Sequence, residues 1–239
     1  MITADGASII LNDGVSPSIS NICHDVARIL GRGSDIAFEC SSIHDPENPS
    51  RNSLEVGKLR VSGFDEFHVK LVHSPDSDSE YLPQVIKRFP LLRFDPNLLL
   101  PLIIPVHLGG CPDPTFYVHV TAWVEAEGTL AEILIRDWSQ KSLESLKGSL
   151  YSFGQFLHGF HSKYPGLQHT DMNPSNILVV TDSSGISRFI LTDCAGLDDQ
   201  VGNDIQTFVA ALQVLADGCF GDDFLALSVR AFSEGYENP

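Results

Sequence analysis

The chain has 239 residues, and 31 Asp and Glu against 15 Lys and Arg give it a formal net charge of −16. Nucleic acids and anionic membranes reward clusters of Lys and Arg, so this balance argues against both as the main partner. Hydrophobic residues make up 43% of the chain, enough for a sizeable core in one domain or two close-packed lobes. No stretch reaches the ~18 apolar residues of a membrane span, and "MITADGASIILNDG" lacks the basic region of a signal peptide.

The cysteines are odd in number and lack the spacing of metal ligands; they are Cys23, Cys40, Cys111, Cys194 and Cys219. We interpret them as thiols in a reducing compartment, which predicts a cytoplasmic location. Secretion of the protein as an effector stays open, and a zinc site is not expected.

Residues 1–123 are predicted to form a mostly β domain that carries one helix. The segments "LEVGKLRVSG" and "DEFHVKLVH" alternate in hydrophobicity as strands do. In the second of them Val69 and Leu71 share one face and Lys70 lies on the other. The helix is predicted at "EYLPQVIKRF", with Pro83 in its first turn and Pro90 ending it. Two further strands are predicted at "LIIPVHLGG" and "TFYVHVTAWVEA".

Residues 124–239 are predicted to form a mostly helical domain. The segment "SLESLKGSLYSFGQFLHGFHSKY" has an apolar stripe at helical spacing, and "TLAEILIRDW", "DIQTFVAALQVLADG" and "DFLALSVRAFSEGY" are also typical of helices. Two short strands, at 177–180 and 189–191, are separated by "TDSSGIS", which predicts a hairpin.

Three oxygen-bearing side chains lie at the ends of this hairpin. Asp171 and Asn176 precede the first strand, and Asp193 follows the second. The hairpin would bring Asn176 and Asp193 together, as hard cations such as Mg²⁺ require. Phosphoryl transfer needs a metal-holding Asp, a second metal ligand and an acceptor for the substrate's hydroxyl proton. Asp193, Asn176 and Asp171 match these three roles.

The motifs "HTDMNPSNIL" and "TDCAG" resemble those of the protein-kinase-like superfamily. The form Asn-Pro-Ser-Asn is closest to the branch of the aminoglycoside phosphotransferases and choline kinases. The resemblance implies an α+β, bilobal, protein-kinase-like fold, with an antiparallel β N-lobe carrying one helix and a reduced, mostly helical C-lobe. It also implies ATP and Mg²⁺ as cofactors, Asp171 as a catalytic residue, and Asn176 and Asp193 as metal ligands.

The resemblance extends to further residues with less specific motifs. It makes Lys70 the catalytic lysine that contacts the α/β-phosphates, unless Lys70 is a solvated lysine on an edge strand. It places adenine against the backbone of Trp123, Val124 and Glu125. Glu80 would pair with the lysine, although an acidic residue at a helix start also complements the helix dipole.

Two segments each have two interpretations. "ILGRGSDIAFEC" resembles a degenerate phosphate loop in which Gly31 and Gly33 contact the nucleotide. Equally, "ISNICHDVARILG" is typical of an amphipathic helix capped by Gly31, with the phosphate loop then at "SIHDPENPS". Asp204 resembles an Asp that braces the catalytic loop, and is also placed to cap its own helix. His169 is expected to be structural, hydrogen-bonded to the backbone near Asp193.

Asp204 follows Asp193 by only 11 positions, with no Ala-Pro-Glu motif between them, and 35 residues follow Asp204. Conventional protein kinases need a longer segment to dock a peptide. We therefore expect an ATP-dependent kinase that transfers the γ-phosphate to a hydroxyl or amine of a small-molecule acceptor. The alternatives are a minimal, effector-like protein kinase acting on a folded protein, a pseudokinase binding module, and transfer of AMP instead of phosphate.

Overall fold

A computed structural model describes residues 7–12, 18–31, 37–42, 53–64, 66–73, 81–109, 111–181 and 187–239. The chain divides into two compact units. The first comprises Met1–Glu80 and Leu100–Val124, and the second comprises Tyr81–Leu99 and Glu125–Pro239. The predicted domain boundary lies between residues 123 and 124, one residue before the chain leaves the first unit for the last time, after Val124. The prediction also places Tyr81–Leu99 in the first domain, whereas these residues belong to the second unit.

The first unit is built on a six-stranded sheet. Its strands are β1 (Ile9–Leu11), β2 (Phe38–Ser42), β3 (Ser53–Val61), β4 (Glu66–His73), β5 (Leu102–Leu108) and β6 (Phe116–Ala122). They lie in the order β1-β5-β6-β4-β3-β2, and every pair is antiparallel except β1 with β5. The predicted α+β class with an antiparallel-rich sheet is confirmed.

One face of this sheet is covered by α1 (Ile19–Leu30). Ser18 caps the helix by accepting a hydrogen bond from the backbone N of Asn21. The apolar side of α1 is buried with Val69 and Leu71 of β4 in one core. Gly31 ends the helix, and its N–H donates to the Ala27 carbonyl oxygen. The helical interpretation of "ISNICHDVARILG" is therefore confirmed.

The structure corrects the prediction of which helix belongs to the first unit. The predicted helix at "EYLPQVIKRF" exists as α2 (Leu82–Arg88), but it belongs to the second unit. The helix that packs on the sheet is α1, because its apolar side matches the apolar face of the strands.

The interpretation of all five cysteines as free thiols is wrong. Cys23 of α1 and Cys40 of β2 form a disulfide, with 6.6 Å between their Cα atoms. The two cysteines are 17 positions apart in the sequence and are brought together by the packing of α1 on the sheet, so their spacing alone does not predict the disulfide. Cys111 is free and exposed, and Cys194 is free and buried. The argument from idle thiols to a reducing compartment thereby loses its basis.

The second unit is mostly helical. Besides α2 it contains α3 (Leu130–Ser139), α4 (Leu143–Lys163), α5 (Asp204–Leu215) and α6 (Gly221–Glu237), with a π-helical turn at Ala216–Phe220. A three-stranded antiparallel sheet consists of β7 (Gly128–Thr129), β8 (Ile177–Thr181) and β9 (Ser187–Leu191). The predicted hairpin is formed by β8 and β9.

Phe153 lies at the centre of this unit's core and is fully buried. Its ring centroid lies 4.8 Å from that of Phe208 and 5.3 Å from that of Phe189, which joins α4 to α5 and β9. The helices α4 and α6 cross closely at Gly154 and Gly235, where side chains would not fit. Strand β9 of the hairpin thus packs through Phe189 against a tightly packed helical core.

None of the helices in the described ranges combines the length and the apolarity needed to cross a bilayer.

Candidate active site

The open end of the β8–β9 hairpin brings Asn176 opposite the residue that precedes Asp193. Ile177 pairs with Leu191 as the last register pair of the hairpin. Beyond it, the N–H and the hydroxyl of Thr192 both donate to the Asn176 carbonyl oxygen, at 2.9 and 3.1 Å. Asn176 therefore lies opposite Thr192, the residue that immediately precedes Asp193.

Asn176 is also tied to Asp171. Its Nδ2 donates to Asp171 Oδ2 at 2.9 Å and to the Asp171 carbonyl oxygen at 3.1 Å. Asn173 holds the intervening 3₁₀ turn, Pro174–Asn176, by accepting a hydrogen bond from the Ser175 N–H. Because Nδ2 faces Asp171, Oδ1 remains as the acceptor oxygen of the Asn176 amide. The structure thus brings Asp171, Asn176 and the start of the Asp193 loop into one cluster.

The backbone of this cluster is strained. Asp193 has φ 55° and Thr170 has φ 70°; Lys141 is the third non-glycine residue with positive φ among those the structure describes. Such conformations are sparsely populated by residues with a Cβ, and they concentrate where function fixes the backbone. Of the three, Asp193 belongs to the candidate site and Thr170 directly precedes Asp171.

His169 has the structural role predicted for it. Its ring is fully buried, and Nε2 donates to the Thr192 carbonyl oxygen at 2.7 Å. This hydrogen bond joins the loop that contains Asp171 to the end of the hairpin that leads into Asp193.

Asp204 braces the same loop from below. Its carboxylate is fully buried and accepts the backbone N–H groups of His169, at 2.8 and 2.9 Å, and of Thr170, at 3.0 Å. His161 Nε2 donates to it as well, at 3.1 Å. The capping alternative for Asp204 is wrong, because Asn203 caps α5 by accepting the Gln206 N–H.

The contacts of three residues at this site, Gln168, Thr170 and His161, had no signal in the sequence. Gln168 Oε1 accepts the Asp204 N–H at 2.9 Å, and its backbone pairs with that of Asp198. The Thr170 hydroxyl donates to the Gly196 carbonyl oxygen at 2.8 Å. His161 was visible only as a polar residue on a long helix. Each contact depends on a long-range approach that neither periodicity nor motif spacing encodes.

Cys194 follows Asp193 and points inward. It is fully buried, and its Sγ lies 3.3 Å from the Leu191 carbonyl oxygen. Burial raises the pKa of the Cys194 thiol, and the nearby Asp193 charge adds to the rise. A thiol that stays protonated is a packing residue, not a nucleophile.

Lys70 lies on an inner strand of the first unit. β4 is flanked by β3 and β6, and Lys70 is the register partner of Val56 and His119. The interpretation of Lys70 as an edge-strand lysine is therefore wrong. Residues that pair in register share a face, so Lys70 and His119 lie on the side of the sheet away from Val69 and its core.

The predicted adenine segment lies where the chain passes between the two units. Val124 ends the first unit and Glu125 begins the second. The Trp123 N–H donates to the Glu66 carbonyl oxygen at 2.8 Å, and Lys58 Nζ lies 4.1 Å from the centroid of the indole ring. Of the other predicted nucleotide contacts, Gly31 caps α1, whereas Glu80 and Gly33 lie outside the described residues.

The donor chemistry of the cluster fits Mg²⁺. Asp193 offers a carboxylate and Asn176 an amide oxygen, which are hard ligands. In the described part of the chain, His, Cys, Asp and Glu side chains form no group of three or more that could hold a metal ion. Mg²⁺ keeps several waters and is usually held by one or two carboxylates plus substrate phosphates, so this sparse set suits it.

Comparisons with known proteins add little. No family model and no curated protein matches the chain. A solved structure entitled "WaaP in complex with acyl carrier protein" aligns with 84% of this chain and 80% of that one, at 15% sequence identity and a TM-score of 0.49. That similarity is too low to assign an activity.

Proposed function

We propose that this chain is an ATP-dependent phosphotransferase of the protein-kinase-like superfamily that acts on a hydroxyl or amine of a small molecule. One observation carries the proposal: Asp171, Asn176 and the Asp193 loop meet at one end of the β8–β9 hairpin. Phosphoryl transfer requires little covalent chemistry from the protein, so a rigid set of oxygen ligands is its main demand.

The three residues have separate roles in this proposal. Asp171 orients the acceptor and takes its proton, as a base or an orienting carboxylate. Asn176 and Asp193 would hold Mg²⁺, which when bound would neutralise charge on the nucleotide phosphates. Catalysis then rests on positioning and electrostatics.

The first unit would bind the nucleotide. Lys70 contacts the α/β-phosphates, paired with Glu80, and the backbone of Trp123–Glu125 contacts adenine. Because α1 continues to its cap at Gly31, we place the phosphate loop at "SIHDPENPS", in the connection between β2 and β3, rather than at Gly31 and Gly33.

The segment after Asp193 favours a small acceptor. It is short, and several of its residues are committed to contacts within the second unit. Gly196 accepts the Thr170 hydroxyl, Asp198 pairs with Gln168, and Asp199 pairs with Arg88 at 2.5 Å. A segment held in this way leaves little backbone to dock an extended peptide.

The first test is thermal stabilisation by ATP with and without Mg²⁺. Wild type should be stabilised only when both are present, because a ligand that binds the native state raises its melting temperature. Asp193→Ala should lose this effect, and Asp223→Ala, an exposed carboxylate on α6, is the matched control. Absence of any shift in wild type at millimolar nucleotide would overturn the proposal in favour of a pseudokinase.

Turnover with γ-labelled ATP separates the remaining candidates. Asp171→Ala should lower turnover by roughly 10²–10⁴, the usual range for a residue that handles a proton. Label should appear in the low-mass fraction of an extract; label confined to protein would support the minimal protein kinase instead.

A further inference from the structure

Thr170 combines an unusual backbone conformation with two specific hydrogen bonds. Its φ of 70° is left-handed, which is a genuine outlier for a β-branched residue. Its N–H donates to Asp204 Oδ1 at 3.0 Å, and its hydroxyl donates to the Gly196 carbonyl oxygen at 2.8 Å. The backbone bond fixes the residue, and the side-chain bond reaches across to a different segment.

The acceptor of that second bond closes the loop that carries Asp193. Gly196 is the last residue of the 3₁₀ turn Cys194–Gly196, which follows Asp193 directly. Before Asp193, this segment is held by the bonds from Thr192 to the Asn176 carbonyl oxygen. After it, the Thr170 hydroxyl holds the turn at Gly196, in addition to a contact of 3.9 Å between Cys194 Sγ and His169 Nε2. The turn is therefore attached at both ends to the loop that contains Asp171.

We propose that Thr170 is a positioning residue whose hydroxyl sets the place of Asp193 relative to Asp171. The inference rests on the proposed function, because it treats Asp193 as the Mg²⁺ ligand. The hydroxyl acts on the metal through Gly196 and touches neither metal nor substrate. Thr170 adjoins Asp171, and Gly196 lies three residues after Asp193, so the hydroxyl joins the loop that carries one carboxylate to the turn that follows the other.

Two substitutions separate the hydroxyl from the shape of the side chain. Thr170→Val keeps the branched shape and removes the hydroxyl, whereas Thr170→Ser keeps the hydroxyl. The Mg²⁺ concentration that half-saturates nucleotide-dependent stabilisation should rise roughly 3- to 10-fold in Thr170→Val, as expected for one lost hydrogen bond. It should stay within about 2-fold of wild type in Thr170→Ser.

A purely structural role would give a different pattern. Both variants would then unfold at lower temperature with an unchanged requirement for Mg²⁺. Equal Mg²⁺ requirements in Thr170→Val and wild type, or in Thr170→Val and Thr170→Ser, would overturn the inference.

Amide hydrogen exchange tests the same bond without nucleotide. Peptides that cover residues 194–198 should exchange faster in Thr170→Val than in wild type and Thr170→Ser, because the turn loses the hydrogen bond that holds Gly196. If wild type shows no Mg²⁺-dependent binding, the proposed function fails, and this measurement still decides whether the hydroxyl holds the turn. Unchanged exchange in Thr170→Val would overturn the inference independently of the nucleotide result.

Discussion

Replacement of Asp204 by alanine tests whether this carboxylate holds the loop that contains His169, Thr170 and Asp171. The fully buried carboxylate accepts the N–H groups of His169 and Thr170 and the ring N–H of His161. Alanine offers no acceptor, and the His169 N–H lies in a closed interior that water does not reach.

The expected loss follows from those orphaned donors. Leaving one buried donor unsatisfied costs about 1–3 kcal/mol. With His169 fully buried and Thr170 partly buried, we expect Asp204→Ala to lower the free energy of unfolding by about 2–5 kcal/mol. Against a typical total of about 5–15 kcal/mol, this would be a major loss.

Urea unfolding measures this loss, and Asn203→Ala is the matched control. Asn203 caps α5 one residue earlier, and removal of a cap costs about 0.5–2 kcal/mol. Asp204→Ala should therefore be clearly the more damaging of the two. A loss no larger than that of Asn203→Ala would refute the assignment of Asp204 as the brace of the loop.

Two further predictions concern stability. In α4, Gly154→Ala should lower the free energy of unfolding by about 1–3 kcal/mol or more, because its Cβ would lie 2.3 Å from the Phe232 carbonyl oxygen. Gly159→Ala, which has open space around it, should raise that free energy by about 0.5–1 kcal/mol in urea unfolding. Equal effects of the two substitutions would contradict the close crossing of α4 and α6. Burial opposes ionisation of Asp95, yet hydrogen bonds, first of all from Lys163 at 2.7 Å, lower its pKa overall. The stabilisation by ionised Asp95 is therefore present above the unfolded pKa of about 3.9 and is lost as pH falls through the folded pKa. Asp95→Asn should be less stable than wild type at pH 7, and its free energy of unfolding should decline less steeply below about pH 4. Parallel pH profiles of the two proteins would contradict this.

The elements that periodicity defines were predictable. The hairpin predicted at 177–180 and 189–191 is present at Ile177–Thr181 and Ser187–Leu191, because runs rich in β-branched and apolar residues lie on either side of a Ser- and Gly-containing sequence. Once the strands are paired, antiparallel geometry brings Asn176 close to Asp193 without further information. The proximity of the residues at the candidate site was therefore predictable from a short stretch of sequence, and their roles stay predictions.

What could not be predicted depends on long-range packing. Whether "ISNICHDVARILG" forms a helix or leads into a glycine loop is decided by the apolar sheet face that α1 covers. The disulfide of Cys23 and Cys40 exists because that packing brings them together. The role of Asp204 likewise became distinct from capping only when Asn203 was seen to occupy the cap.

The interrupted first unit has a consequence for dissecting the protein. The chain passes between the units three times, after Glu80, Leu99 and Val124. Asn97 and Leu99, which belong to the segment Tyr81–Leu99 of the second unit, form backbone hydrogen bonds with Leu191 at the end of β9. A fragment that starts at residue 125 would lack this added strand partner and expose the edge of β9 beside the Asp193 loop. The β8–β9 hairpin is thus extended by a segment that interrupts the sequence of the first unit, and a single cut in the chain does not separate the two units.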